Sequence, residues 1–265
     1  MSQSLTLKIA RIEKEAAAVR TYWFKHRLDA KPGQFVMLWI PGFDQKPISI
    51  AYADKKEFAL TVSAIGPATK HLEKMKVGDV LGILGPLGTY YKIPAKKKLV
   101  CVAGGYGAAP LYFATLEALQ KGCQVDFILG ARTKDLLLYQ NKLAKTKARV
   151  HITTNDGSKG KKGLVTDVLE QLCASKKPFE IMTCGPELME YGVFQIAEEY
   201  KVPCQISIER YMKCGTGVCG SCSVDPQGLR MCTEGPVVDK VLAKMIYEFG
   251  KYHRDATGTK IYYKK

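Results

Sequence analysis

Leu99-Val100-Cys101-Val102-Ala103-Gly104-Gly105-Tyr106-Gly107-Ala108-Ala109-Pro110-Leu111 passes from five apolar residues, through a glycine turn, into a helical pattern. A continuous apolar run of this length reads as a strand buried on both faces, as in a parallel sheet. Small residues between strand and helix leave backbone amides and the helix dipole free to face an anion such as a pyrophosphate. Pro110 suits a first helical turn, where its missing N–H is not needed. The spacing does not match GxGxxG, and by itself such a loop is equally a tight strand-to-helix turn. The alternation continues downstream. Residues 125–129, 150–154 and 180–183 read as strands, and 109–121, 136–142, 164–173 and 186–200 as helices, which predicts a parallel α/β domain over 95–204.

Upstream of this stretch the pattern is different. Residues 5–12, 19–24, 34–40, 48–52, 57–63 and 79–84 are short β-prone runs separated by turn residues, with one helical interruption at 69–75. Six runs at this spacing predict a six-stranded antiparallel β-barrel over 1–94. Downstream, Cys214, Cys219, Cys222 and Cys232 form a CxxxxCxxC run with a fourth cysteine beyond it. That spacing points to an iron–sulfur cluster of the 2Fe–2S type, making 205–265 a small C-terminal cluster module. Gly215, Gly217 and Gly220 alternate with the ligands and allow the tight turns that aim amides at sulfur. Structural zinc usually takes two CxxC pairs, whereas only Cys219 to Cys222 has that form.

The chain has 265 residues, 46% hydrophobic and 25% charged, enough for about two domains. Its net charge of +15 is dispersed, with local lysine runs only at 96–98 and 159–162, and no nucleic-acid-binding signature accompanies it. We therefore expect no nucleic-acid partner; a basic surface equally attracts dinucleotide phosphates or an acidic subunit. The opening MSQSLTLKIA carries no apolar signal segment, and the chain has no run of about 18 apolar residues, so a cytoplasmic protein without a membrane partner is expected. Disulfides would be disfavoured there. Cys101, Cys123, Cys173 and Cys204 read as core residues. His26, His71, His151 and His253 show no ligand spacing, and residues 156–163, polar and glycine-bearing, read as mobile.

The order of these motifs resembles the ferredoxin reductase superfamily. Lys46-Pro47-Ile48-Ser49 is similar to its flavin motif, Gly66-Pro67-Ala68-Thr69 and Gly85-Pro86-Leu87-Gly88 stand where its later flavin contacts fall, and Cys184-Gly185-Pro186 matches its CGP signature. With the cysteine module, the whole chain resembles the electron-transfer subunit of the heteromeric NAD-linked dihydroorotate dehydrogenases. Further matching stretches are Asp156-Gly157-Ser158, residues 162–167, Ser207-Ile208-Glu209-Arg210, Gly235-Pro236-Val237 and Tyr252-His253-Arg254-Asp255.

The resemblance implies FAD on Lys46, Pro47, Ile48, Ser49, Val62, Ser63, Ala64, Ala68 and Thr69. It implies NAD(P) on Gly104, Gly105, Gly107, Ala108, Ala109, Cys184, Gly185 and Pro186, with Cys184 and Glu209 near the nicotinamide and flavin. The cluster would sit on the four cysteines. The implied partner is an FMN-containing dihydroorotate dehydrogenase catalytic subunit, in a heterotetramer. Related chains serve sulfhydrogenases and electron-bifurcating ferredoxin:NADP oxidoreductases, and that alternative stays open at this point, as does NAD against NADP. Two departures from the family pattern stand out: Lys46 replaces an arginine, giving a point charge in place of a bidentate fork, and Ala68 replaces a glycine.

Overall fold

The computed structural model describes residues 3–175 and 179–264. Its first part is a curled antiparallel sheet of β1 (Gln3–Lys8), β2 (Arg11–Ala16), β3 (Val19–Phe24), β4 (Phe35–Ile40), β5 (Asp44–Ala53), β6 (Phe58–Ser63) and β7 (Val80–Leu87), in the order β1-β7-β4-β5-β6-β3-β2. Seven strands stand where six were expected. The run at 5–12 bends at its middle: Ile9 N donates to Asp79 O, while Ala10 N donates to Trp23 O. Consecutive residues thus hand the chain from one edge of the sheet to the other, so the two edge strands are joined covalently and the sheet curls back on itself. Helix α1 (Pro67–Lys74) caps one end, with Pro67 in its first turn. Thr69 Oγ1 accepts the amides of Ile65 and Gly66 at 3.0 and 3.1 Å.

β4 is buried on both faces except at Trp39. Val36, Leu38 and Ile40 enter the barrel core with Ile50, Leu60, Leu81 and Ile83. The alternate residues Phe35 and Met37 point the other way, into a second core that reaches the cysteine segment.

The second sheet contains β8 (Lys98–Gly104), β9 (Gln124–Ala131), β10 (Arg149–Thr154), the short β11 (Lys161–Lys162), β12 (Glu180–Cys184) and β13 (Cys204–Ser207), all parallel. Between them run α2 (Ala108–Gln120), α3 (Gln140–Leu143), α4 (Val165–Ala174) and α5 (Glu187–Glu199). The strand order β11-β10-β9-β8-β12-β13 reverses between β8 and β12, and doubly wound sheets bind ligands at such a switch point. The helix expected over 136–142 shrinks to α3. Tyr139 adopts a left-handed φ of 62° and buries its ring at the seam with the barrel, its hydroxyl 2.6 Å from Thr61 Oγ1. That contact wins over the helical periodicity. Residues 156–163, read as mobile, form a bonded turn: Thr154 Oγ1 donates to Lys159 O and accepts from Lys159 N, and Asp156 Oδ1 accepts from Ser158 Oγ.

The remaining elements are β14 (Ser223–Val224), β15 (Leu229–Arg230), β16 (Val237–Asp239), α6 (Lys240–Met245), β17 (Tyr252–Arg254) and β18 (Lys260–Tyr262). β16 pairs antiparallel with β13, so the expected boundary between residues 204 and 205 falls inside a strand of the second sheet. The cysteine module leaves and re-enters this sheet through two adjacent strands. Thr89 at the end of the barrel also holds it, donating N–H to Gly235 O and Oγ1–H to Val237 O, both at 2.6 Å. Among the described residues, no helix is long and apolar enough to cross a membrane.

Candidate functional site

The switch point brings two distant segments of sequence together. β8 and β12 are neighbours, so the turn after each strand faces the other. A Cβ added to Gly107 would lie 2.1 Å from Cys184 O, and only glycine permits this approach. Gly104 likewise packs on Pro186 and Met189.

A cavity of about 510 Å³ lies between this turn and the barrel. Lys46, Pro47, Ile48 and Ser49 from β5, Thr61 to Ser63 from β6, and Ile65 to Thr69 around the start of α1 line one side; Tyr106, Gly107, Ala109, Pro110, Cys184 and Glu209 line the other. A second cavity of about 650 Å³ shares Lys46, Pro47, Ser49, Tyr106, Cys184 and Glu209 with the first. It runs on past Gly185, Pro186, Glu187, Glu190 and Ser207 to the C-terminal residues His253 to Ala256 and Tyr263. Each volume is of the size that encloses a cofactor-sized ligand. Lys46 Nζ is 2.5 Å from Asp44 Oδ2, which also lines the first cavity, and this ammonium holds the Asp44 carboxyl below its usual range.

The shared wall is rich in titratable groups. Burial, reinforced by Glu190 and Glu209, pushes the Cys184 thiol well up, so it stays protonated at neutral pH. Burial likewise raises Glu190, although its Oε1 accepts Gly185 N at 3.0 Å, and it raises Glu209, whose Oε2 accepts the Tyr106 hydroxyl at 3.2 Å. Arg210 braces the wall from behind. Its Nε donates to Glu248 Oε1 at 2.6 Å, and its Nη1 donates to Glu187 Oε2 at 2.5 Å, with all three side chains buried. Glu187 also accepts Gly250 N and the Tyr263 hydroxyl, which fastens the C-terminal segment over the second cavity.

The cysteine loop has features a cluster needs. Gly215, Gly217 and Gly220 have φ of 71°, 78° and 70°. The amides of Thr216 and Cys219 donate to Cys214 Sγ at 3.4 Å, and the amide of Gly217 donates to Cys232 Sγ at 3.1 Å. Burial opposes ionisation of Cys214, but the Cys219 and Thr216 amides pull its thiol down to about 6. The four thiols fall into two neighbouring pairs, Cys214 with Cys219 and Cys222 with Cys232. Two irons, each taking two thiolates, fit that donor set. Cys222 and Cys232 are buried and Cys219 is exposed, next to Val218 at 85% exposure, so one edge of the site faces outward.

Of the residues singled out in the sequence, Lys46 to Ser49, Val62, Ser63, Ala68, Thr69, Gly107, Ala109, Cys184, Gly185, Pro186 and Glu209 line the two cavities. Ala64, Gly104, Gly105 and Ala108 line neither cavity, and neither does Gly85 to Gly88, which packs toward the cysteine segment. Sequence reasoning missed Asp44, Tyr106, Glu190 and the C-terminal wall. Asp44 adjoins a motif that was noticed and Tyr106 stands inside one without being given a role; Glu190 carries no local signal, because burial alone makes it unusual.

A family model for the iron–sulfur cluster binding domain of dihydroorotate dehydrogenase B matches residues 209–242, and one for the oxidoreductase NAD-binding domain matches residues 101–195. The chain is 45% identical over 263 residues to a probable dihydroorotate dehydrogenase B (NAD(+)) electron transfer subunit from Methanocaldococcus jannaschii, covering 99% of this chain and 100% of the relative. A Methanothermobacter thermautotrophicus protein of the same description is 38% identical over 259 residues, covering 96% of each. Among solved structures, a chain of an NADH-dependent reduced ferredoxin-NADP oxidoreductase superposes with a TM-score of 0.81 at 29% identity, covering 94% of this chain and 95% of that one. A cytochrome P450 reductase from Amycolatopsis shares the fold, with a TM-score of 0.66 at 24% identity over 76% of this chain and 67% of its own. By fold, cysteine spacing and these relatives, the chain belongs to the family of electron transfer subunits of dihydroorotate dehydrogenase B.

Proposed function

We propose that this chain exchanges electrons between NAD(H) and a catalytic partner subunit, using FAD in the cavity against the barrel and a 2Fe–2S cluster on Cys214, Cys219, Cys222 and Cys232. The observation that carries this is the shared wall: Ser49, Tyr106, Cys184 and Glu209 line both cavities, so a flavin in one and a nicotinamide in the other would meet face to face. Nicotinamide carries two electrons as hydride, the cluster carries one at a time, and a flavin manages both, which fixes its place between them. The chain's residues position, and none is required as a nucleophile. Lys46, with the start of α1, would face the FAD phosphates, and the Gly104 to Ala109 turn would receive the nucleotide.

The partner we propose is the FMN-containing dihydroorotate dehydrogenase subunit, in a heterotetramer, with NAD+ as final acceptor; the relatives' names support this choice. No eight-fold βα barrel occurs among the described residues, so dihydroorotate oxidation is assigned to that partner. We propose a cytoplasmic location, a reducing compartment in which the four cluster cysteines would stay available as thiolates. The likeness to an electron-bifurcating reductase supports a second reading, in which the electrons pass to another redox subunit.

Anaerobic purification tests the assignment. The protein should be brown-yellow with about two irons per chain, its flavin should be reduced by NADH, and with the partner it should reduce NAD+ at the expense of dihydroorotate. Colourless zinc protein would overturn the cofactor reading. Coloured protein that neither binds such a partner nor reduces NAD+ with it would overturn the partner reading alone.

A further inference from the structure

The wall of the cavities and the cysteine loop are separated by a single strand. In register across β4 and β5, Phe35 stands opposite Ser49 and Met37 opposite Pro47, and such partners project from the same face. Ser49 and Pro47 line both cavities, and Phe35 lines the larger. On the other side, a Cβ added to Gly215 would lie 2.5 Å from Met37 Cγ and 3.0 Å from both Met37 Sδ and Leu87 Cδ1. Met37 is fully buried, and it shares one apolar core with Phe35, Leu87, Met212 and the ligands Cys222 and Cys232. Gly88 repeats the pattern, meeting Phe35 on one side and the Gly235-Pro236 segment on the other. The loop therefore rests on the barrel at van der Waals contact, through a layer without a titratable side chain.

We propose that Gly215 and Met37 are positioning residues that set the flavin-to-cluster distance, and that the layer of Phe35, Met37 and Leu87 passes electrons while blocking protons. This rests on the cofactor assignment above. Electronic coupling falls exponentially with distance, so the closest backbone approach available, at a glycine, favours rapid transfer. With both groups bound, each transfer would take one electron from the reduced flavin and turn one cluster iron from ferric to ferrous. Two transfers discharge one hydride, provided the partner removes each electron in turn. The flavin proton would leave through the cavities, which Glu209 and Tyr106 line, and not through this layer. In the direction of NAD+ reduction the same steps run backward.

Gly215→Ala should push the loop from Met37 and lengthen the gap. Because φ at Gly215 is +71°, the same substitution also strains the backbone, and Gly220→Ala separates the two effects: its φ is +70°, but the nearest atom to an added Cβ is Ser223 Oγ at 3.8 Å. Met37→Phe applies the push from the barrel side with no backbone strain in the loop, which covers a Gly215→Ala protein that fails to assemble. The FAD- and iron-loaded variants are compared by pulsed dipolar EPR for the distance and by anaerobic stopped-flow absorbance for NADH-to-flavin and flavin-to-cluster steps, scaled to iron content. We expect Gly215→Ala and Met37→Phe to lengthen the distance and slow the second step several-fold, with the first unchanged and with recovery when Met37→Ala is added to Gly215→Ala. Equal slowing in Gly220→Ala and Gly215→Ala, an unchanged distance, or no recovery in the double variant would overturn the proposal. If the unsubstituted protein's flavin is not reduced by NADH, the cofactor assignment itself fails and takes the proposal with it.

Discussion

Replacing Arg210 by alanine should leave two buried carboxylates without their cation. Its side chain is 2% exposed, against 7% for Glu187 and 0% for Glu248, so water cannot take over as their partner. Removing one member of a buried ion pair costs about 3–5 kcal/mol. Here one cation serves two carboxylates, but each keeps other donors: Gly250 N and Tyr263 OH on Glu187, and Asp225 N on Glu248. We therefore expect a loss of about 4 kcal/mol, which in a chain of this size lowers Tm by roughly 10 °C. The damage should be local at first. Glu187 opens α5 and is bonded to the C-terminal segment, so amide exchange should rise at residues 247–263 before it rises in either sheet. Arg210→Lys should fall between, because one ammonium cannot reach Glu248 through Nε and Glu187 through Nη as the guanidinium does. Arg210→Met combined with Glu187→Gln and Glu248→Gln should recover much of the loss, since it removes the buried charges together. Denaturant unfolding and hydrogen exchange check all three. A loss below about 1 kcal/mol for Arg210→Ala, the value of an exposed pair, would refute the reasoning that this arginine anchors the cavity wall.

Gly107→Ala should separate the glycine turn from Cys184, because its Cβ meets the Cys184 carbonyl at 2.1 Å; loss of NADH-driven flavin reduction checks it, and an unchanged rate would refute the tight approach. Asp44→Asn should free Lys46 for the FAD phosphates and tighten FAD by about 0.5–1 kcal/mol, roughly two- to fivefold in Kd; fluorescence titration would show the shift, and weaker binding would contradict the role given to Lys46. Removing iron should expose Cys214 as a thiolate at neutral pH, since its thiol is drawn down to about 6, and leave Cys184 and Cys101 protonated, the latter raised by burial to about 12. Iodoacetamide at pH 7 followed by peptide mass spectrometry should then label Cys214 well ahead of Cys184, whereas labelling at equal rates would contradict the burial argument.

Much of this was legible in the sequence where the signal is local. The unbroken apolar run at 99–103 announces a strand buried on both faces, and glycines alternating with cysteines announce a ligand loop. Where local signals compete with distant contacts, the reading failed. Residues 136–142 have a helical pattern, yet Tyr139 turns left-handed to reach Thr61 in another sheet. Residues 5–12 look like one strand, yet they serve both edges of the barrel. Lys46 reads as a point charge toward a phosphate, while Asp44, two residues away, stands paired with it.

The sequence by itself determined the order of the parts: a β-rich unit, an α/β unit, and four cysteines at iron–sulfur spacing. Those properties reside in periodicity and in short fixed spacings, which neighbouring residues specify. Tertiary structure alone decided that the cysteine segment is an excursion from the second sheet that rests on the first, that two cavities share one wall, and that Met37 touches Gly215. Contacts such as Met37 with Gly215 and Thr89 with Gly235 join residues more than a hundred positions apart, and they depend on how two sheets pack and which side chains that packing removes from water, information that no local window of sequence contains.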